Sequence, residues 1–302
     1  MIHVSPLNQE DIPALTALFN HATAHLPYRW ELDAQSFREL VLEDDGEPWA
    51  LLSPELAGCL VARYGEEIIG FAHCAIGYLA GERDNRRRGF LRFLITASDA
   101  PAWTANLLLA ETETYFRERR IGEVEAFHIH TGYRCLLAGR GALPDQRLDL
   151  MQALGEAGYR MCSRWLLYER MIYTHTRELL PRLDRLSLQI EPSEPGFALH
   201  AARQAEPVAD FAVRYLPLLS QRSGLESASL EHLRVHEPFR RQGVARWLAL
   251  RGINELASRG FSRLIVHINH NELAAQSLLL SLGFDELPLR AYSYTKNIPL
   301  SA

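Results

Sequence analysis

A short basic turn in the last third of the chain carries the residues best suited to chemistry. It reads Arg240, Arg241, Gln242, Gly243, Val244 and Ala245, after an apolar stretch at residues 230–235. The small Gly243 and Ala245 leave the backbone N–H groups of the following helical turn accessible at the positive end of the helix dipole. Because such donors bind phosphate and arginines supply countercharge, the turn is a candidate diphosphate site. The alternative is an ordinary strand-to-helix turn with solvated arginines.

The elements around this turn form a regular series. Pro238 ends the preceding strand, and apolar residues then recur at helical spacing up to Gly260, which is placed for a left-handed cap. Residues 263–269 (RLIVHIN) are rich in β-branched residues and predict a second strand. A polar stretch, a second helix over residues 273–282 and the pair Gly283-Phe284 complete the series.

This layout resembles the GNAT family (GCN5-related N-acetyltransferases), in which R/Q-x-x-G-x-G/A follows the fourth strand and a Gly-Phe pair ends the fourth helix. The resemblance covers nearly all of the second half of the chain. It implies that acetyl-CoA is a cosubstrate, with its pyrophosphate on the N–H groups from Gln242 to Ala245. The pantetheine arm would lie between the splayed fourth and fifth strands, along Leu233, Arg234 and Val235, and near Asn271.

The resemblance also implies acetyl transfer to a primary amine, on a small molecule or a peptide, by direct attack on the thioester. A lysine-like amine has a pKa near 10.4, so at pH 7 roughly one molecule in 10³ is neutral and a general base is needed. The family position that often carries this base falls on His267, which could alternatively be a packed strand histidine. Glu231 is the second candidate, with His232 beside it.

The family's usual acid, a tyrosine four residues before the Gly-Phe pair, is replaced by Leu279. Tyr292 and Tyr294 are candidate substitutes on the last predicted strand. This departure keeps a second function open, a catalytically weak CoA-binding or interaction protein on the same fold. An assay of acetyl transfer against a panel of amines separates the two functions.

The first half of the chain repeats the order of predicted elements at an offset of about 140 residues. At that offset Ala100, Trp103 and Ala105 stand opposite Arg240, Gly243 and Ala245, so the first copy has neither the glycine nor the arginine. The fold class predicted is therefore α/β with a mixed sheet, in two tandem GNAT-like domains. Residues 1–172 form a degenerate copy that does not bind CoA, residues 173–186 a linker with a short helix, and residues 187–302 the acetyl-CoA domain.

The second copy has only residues 191–196 between its first two predicted strands, too few for the two helices that normally lie there. In the family those helices form one side of the acceptor pocket. We therefore hypothesise that the first domain, or the loop around residues 217–225, replaces that side and that the acceptor binds near the domain junction.

The composition of the chain limits the class of protein and the kinds of partner that it can have. The chain has 302 residues, a net charge of −5 and 47% hydrophobic residues, which is typical of a packed globular protein without a basic nucleic-acid-binding face. The first residues lack a signal-peptide pattern and no apolar run reaches the ~20 residues of a membrane span, so we expect a cytoplasmic protein without a membrane or nucleic-acid partner. The four cysteines lack metal-ligand spacing, and we expect buried free thiols and no metal site. The pattern does not predict an oligomeric state.

Overall fold

The computed structural model describes residues 2–44, 50–80 and 86–300, with only the backbone of residues 54–57. The chain divides into two compact units. Unit 1 holds the residues up to Arg164 together with those from Arg290 onward, and unit 2 holds Trp165–Leu289.

The helices and strands follow one another in the order predicted for a repeated α/β fold. Those of the first half are β1 (Ile2–Pro6), α1 (Ile12–Thr23), α2 (Ala34–Phe37), β2 (Ala50–Tyr64), β3 (Glu67–Leu79), β4 (Arg88–Thr96), α3 (Thr104–Glu118), β5 (Glu123–Ala126), β6 (Leu143–Pro144), α4 (Leu148–Glu156) and β7 (Arg160–Met171). Those of the second half are β8 (Leu186–Ser193), β9 (Gly196–Arg203), β10 (Glu206–Tyr215), α5 (Pro217–Ser223), β11 (Ser227–Val235), α6 (Val244–Ser258), β12 (Arg263–Asn269), α7 (Leu273–Ser281) and β13 (Asp285–Asn297).

Unit 1 is a mixed sheet in the order β1-β2-β3-β4-β5-β13, in which β4 and β5 are parallel. Helix α3 supplies the buried residues Leu108, Leu109 and Phe116 to a core that also includes Leu150 of α4. These positions recur at helical spacing, so one apolar face of α3 is removed from water. The mixed sheet with helices confirms the predicted fold class.

Unit 2 has the sheet order β7-β12-β11-β10-β9-β8, with β11 and β12 parallel. Its core contains Phe197, Phe211, Leu248 and Ile253, all nearly inaccessible to water. Strands β8 and β9 form a tight hairpin in which Ser193 pairs with Gly196. The connection therefore has no room for the two helices expected from the family, as the sequence predicts.

The unit boundaries differ from the predicted division at residue 172. Residues 165–171 of β7 pair with β12, which places them in unit 2. Residues 294–297 of β13 pair with β5 in unit 1. Each unit is thus completed by a strand from the other half of the sequence, a long-range pairing that local patterns do not encode.

Three local predictions are wrong. The linker helix near residues 177–186 is absent, because that stretch runs extended and contains Pro181. The sequence pattern of residues 124–130 also predicts a strand along their whole length, but β5 ends at Ala126, because Phe127 takes a positive φ of 55°. Cys162, expected to be buried, is exposed, whereas the other three free cysteines are buried.

Among the helices of the described residues, none is both long enough and apolar enough to span a bilayer.

Candidate active site

The basic turn has the geometry that a phosphate-binding helix start needs. Gly243 is the N-cap of α6 and has a φ of +85°, a left-handed conformation that favours glycine. Arg241 also has a positive φ, of 61°. Across the described residues, no hydrogen-bond acceptor contacts the backbone N–H groups of residues 241–246. These donors are available to a ligand at the positive end of the helix dipole.

A cleft opens next to this turn because β11 and β12 separate. Their parallel pairing covers only Ser227, Ala228 and Ser229, opposite residues 263–265. Beyond these pairs the strands enclose a cleft of about 660 Å³, whose third wall is α7. This volume lies within the usual range for a small-molecule site.

The predicted cofactor-binding residues fall into two groups. Those that line the cleft are Leu233, Arg234, Val235, Arg240, Ala245 and Asn271. Those that shape the turn itself are Arg241, Gln242, Gly243 and Val244. The Gln242 side chain donates to the carbonyl of Pro238 over 3.2 Å, and Val244 is buried in the core of unit 2. The side chains of Gln242 and Val244 therefore stabilise the turn, and its backbone N–H groups remain available as donors.

The two candidate bases have different surroundings. His267 lies on β12, is half-buried and lines the cleft. Glu231 also lines the cleft, but its side chain is only 6% exposed and its carboxylate lies 3.3 Å from Nε of Arg214. The carboxylate of Glu231 is therefore already engaged in an ion pair.

Glu231 owes its position to a β-bulge. The register between β10 and β11 shifts at this point, so that Ala212 pairs with His232 and Val213 with Leu230. The extra residue, Glu231, is left unpaired, and bulges commonly redirect a side chain next to a functional site. Sequence reasoning found Glu231 but missed Arg214, because nothing in local spacing links two residues on neighbouring strands.

A polar cluster beside the cleft was also missed. His200 Nδ1 lies 2.8 Å from Asp210 Oδ1, and His236 Nε2 lies 3.5 Å from Asp210 Oδ2. Burial lowers the pKa of the nearby His232, although Asp210 and Glu231 oppose this shift. In the described part of the chain, no group of three His, Cys, Asp or Glu is arranged to hold a metal ion. The sequence feature that could have indicated this cluster is the presence of the polar His200 and Asp210 between apolar neighbours on predicted strands.

Neither the family's tyrosine position nor the two candidate tyrosines places a proton donor in the cleft among the described residues. Leu279, at the family's tyrosine position, lines the cleft with only 4% of its surface exposed. Tyr294 belongs to the core of unit 1, where burial raises its pKa to about 12, and Tyr292 packs against the same core. Their strand therefore contributes both tyrosines to the packing of unit 1.

The corresponding region of unit 1 is occupied by protein. Strands β4 and β5 also pair at only three positions, Gly89, Phe90 and Leu91 with residues 124–126. The chain then folds back through residues 127–143, and the remaining cavity beside β4 is about 30 Å³. Arg92, fully buried, donates from Nη1 to the carbonyl of Asp44 (2.6 Å), from Nε to Thr131 (3.1 Å) and from Nη2 to Gly132 (3.0 Å).

The start of α3 differs from the start of α6 in the same way. Trp103 is the N-cap of α3, with φ −79°, and its side chain is 51% exposed. It lines an outer cleft of about 800 Å³ that also contains the carboxylates of Asp149 and Glu156. Arg147 also lines this cleft but is paired with Asp149 over 2.7 Å, and the two arginines of the basic turn have no counterpart at Ala100 and Pro101.

Comparisons with known proteins agree with this geometry. The sequence model of the acetyltransferase (GNAT) family matches residues 164–284. A curated relative, the [ribosomal protein bS18]-alanine N-acetyltransferase of Haemophilus ducreyi, is 36% identical over 70 residues, or 23% of this chain. The chain spans about half the length of that relative, 48%.

Solved structures resemble the whole chain. A tandem GNAT protein from the clavulanic acid biosynthesis pathway has a TM-score of 0.63 at 12% identity, with 100% of both chains covered. A GCN5-related N-acetyltransferase from Sphaerobacter thermophilus has a TM-score of 0.65 at 12% identity, covering 99% of this chain and 97% of that one. At this identity the likeness concerns the fold. The chain thus has the fold of tandem GNAT proteins, and residues 164–284, which contain the basic turn and the cleft, match the acetyltransferase (GNAT) family.

Proposed function

We propose that this protein is an N-acetyltransferase that uses acetyl-CoA and acetylates a primary amine. The observation that carries the proposal is the cleft between β11 and β12, which opens at a helix start with accessible N–H donors. A diphosphate fits those donors, with Arg240 and Arg241 as countercharge. The edges of Leu233 and Val235 on β11 would hold the pantetheine arm, and the thioester supplies the activated acetyl group.

His267 is the general base in this proposal. The acceptor amine must lose a proton to become nucleophilic, and an imidazole on the wall of the cleft can take it directly or through water. The amine nitrogen then forms a bond to the acetyl carbon as the carbon–sulfur bond breaks. The thiolate can leave without an acid, because a thiol of this kind has a pKa near 8.5. A leucine at position 279 is compatible with this course.

We also propose that unit 1 does not bind CoA. The segment 127–143 and Arg92 fill the space beside β4 that stays open beside β11. We therefore expect one molecule of acetyl-CoA per chain. The position of the acceptor near the domain junction stays a prediction.

The proposal is tested by assaying the full chain with acetyl-CoA against a panel of small amines and peptides with free N-termini. Release of CoA thiol that depends on the amine, together with an acetylated product in mass spectrometry, is the expected result. Tight binding of acetyl-CoA without transfer to any amine would instead favour the CoA-binding or interaction protein.

A further inference from the structure

The segment that connects β7 to β8 is hydrogen-bonded to helix α6. At one end, Asn254 of α6 exchanges two hydrogen bonds of 2.8 Å with the backbone N–H and carbonyl of Thr176. Glu178 accepts a 3.0 Å hydrogen bond from the same Asn254 and lies 3.4 Å from Nη1 of Arg251. Asn254 is buried, so these bonds are shielded from water and hold the segment in place.

The other end of this segment contacts the basic turn. The backbone N–H of Arg182 donates to the carbonyl of Gln242 over 3.0 Å. The Cα atom of Pro181 lies 3.7 Å from the position that a Cβ atom of Gly243 would occupy. The segment therefore borders the same turn whose N–H groups are accessible to a phosphate.

The course between these two ends is almost fully extended. The attachment points are Asn254 in α6 and Gln242, two residues before the helix, so their separation is ~15 Å for the ten helical residues plus the length of the turn. Thr176 and Arg182 are six residues apart and span at most ~20 Å when extended. The agreement of the two lengths explains why the predicted linker helix is absent, because a helix would be too short to join these points.

Arg182 is the cation that this arrangement brings to the turn. Its side chain is exposed, and among the described residues it has no ion-pair or hydrogen-bond partner. Its backbone position is fixed by the Gln242 contact, which lowers the entropy lost when its side chain binds a ligand. Arg177, in the same segment, is also exposed but lies near Asn254, far along α6 from the turn.

CoA carries two anionic groups, a diphosphate and a 3′-phosphate on its ribose. The backbone N–H groups at the start of α6 suit the diphosphate. We infer that the connecting segment, residues 176–185, is part of the CoA site and that Arg182 binds the 3′-phosphate. This inference rests on the proposed function, and it assigns the preference for CoA over its dephospho form to the connecting segment.

The test compares Arg182→Ala with Arg177→Ala in the full chain. Calorimetry measures the affinity of each variant for acetyl-CoA and for acetyl-dephospho-CoA. We expect Arg182→Ala to bind acetyl-CoA about fivefold more weakly, the size of one exposed charge contact. It should bind acetyl-dephospho-CoA as the wild type does. Arg177→Ala should match the wild type with both ligands, and both variants should keep the wild-type melting temperature.

Two results would overturn the inference while leaving the proposed function intact. Arg182→Ala could bind both ligands as tightly as the wild type, or it could lose the same factor with both, which would place its side chain elsewhere. A wild-type protein that binds neither ligand would instead remove the proposed function. The affinities of the wild type therefore separate the two failures.

Discussion

The two units share an arrangement of strands and helices, and they differ in what fills the gap between two parallel strands. Helices α3 and α6 are each 15 residues long and begin 140 residues apart, and each follows a strand whose parallel pairing stops after three residues. In unit 2 the separation of the strands leaves a cleft of about 660 Å³. In unit 1 the corresponding cavity beside the middle of β4 is about 30 Å³, and the cleft of about 800 Å³ at the start of α3 lies outside it. The shared strands and helices therefore do not by themselves decide whether a unit contains an open cleft.

The difference is concentrated at equivalent positions of the two strands. The residue left unpaired by the bulge is Arg92 in β4 and Glu231 in β11. Arg92 is buried, and its guanidinium donates to the backbone carbonyls of Asp44, Thr131 and Gly132. Glu231 pairs with Arg214 and leaves the cleft open. One unit thus fills the gap with its own chain, and the other leaves it open.

The largest expected effect concerns the filled gap of unit 1. Arg92→Met leaves the buried carboxylate of Asp44, now 3.5 Å from Nη2, without this partner and three carbonyls without a donor. We expect a loss of about 3–5 kcal/mol in the free energy of unfolding, measured by denaturant titration. Arg134→Met is the matched control, because Arg134 contacts the same carboxylate over 3.0 Å but is exposed, and we expect it to cost ~1 kcal/mol or less. Equal losses in both variants would contradict the role given to Arg92.

The second prediction exchanges the residues at the two helix starts. Gly243→Trp places the unit 1 residue in the unit 2 turn, where φ is +85° and a side chain is strained. We expect acetyl-CoA affinity to fall by about 10²-fold or more, since the N–H donors would be displaced and covered. Trp103→Gly, the reciprocal change, should leave the affinity unchanged. A wild-type affinity in Gly243→Trp would show that the turn does not bind the diphosphate.

The third prediction separates the candidate bases. His267→Ala should lower kcat by about 10²-fold, the usual contribution of a general base, with little change in acetyl-CoA affinity. Glu231→Gln keeps the shape of the side chain and should lower kcat by less than tenfold, because Glu231 is held by Arg214. The reverse order of the two effects would assign the base to Glu231.

The smallest effect is a pH dependence of stability in unit 1. His73 is fully buried, its Nδ1 lies 2.6 Å from the Tyr133 hydroxyl, and burial lowers its pKa well below 6.5. The unfolded chain therefore binds a proton that the folded chain does not, and stability present above pH ~6.5 is lost as the pH falls. We expect a slope of about 1.4 kcal/mol per pH unit below that point, and a shallower slope in His73→Asn. Denaturant titrations at pH 7, 6 and 5 measure both slopes, and identical slopes would contradict this assignment.

Sequence reasoning reached the features that depend on local chemistry. The glycine turn, the left-handed Gly260 (φ +83°) and the strand at residues 263–269 follow from backbone preference and periodicity. The pairing of β7 with β12, the Arg214–Glu231 contact and the filling of unit 1 by residues 127–143 join positions far apart in the chain. The extended course of residues 176–182 depends likewise on Asn254, which no pattern within the linker reveals. Tertiary contacts decided each of these.

The number of acetyl-CoA molecules bound per chain tests the difference between the units most directly. Calorimetry on the wild-type protein should give a single class of sites with one molecule per chain. A stoichiometry of two would show that unit 1 also binds the ligand despite its filled gap, and a stoichiometry of zero would show that the open cleft of unit 2 serves another molecule.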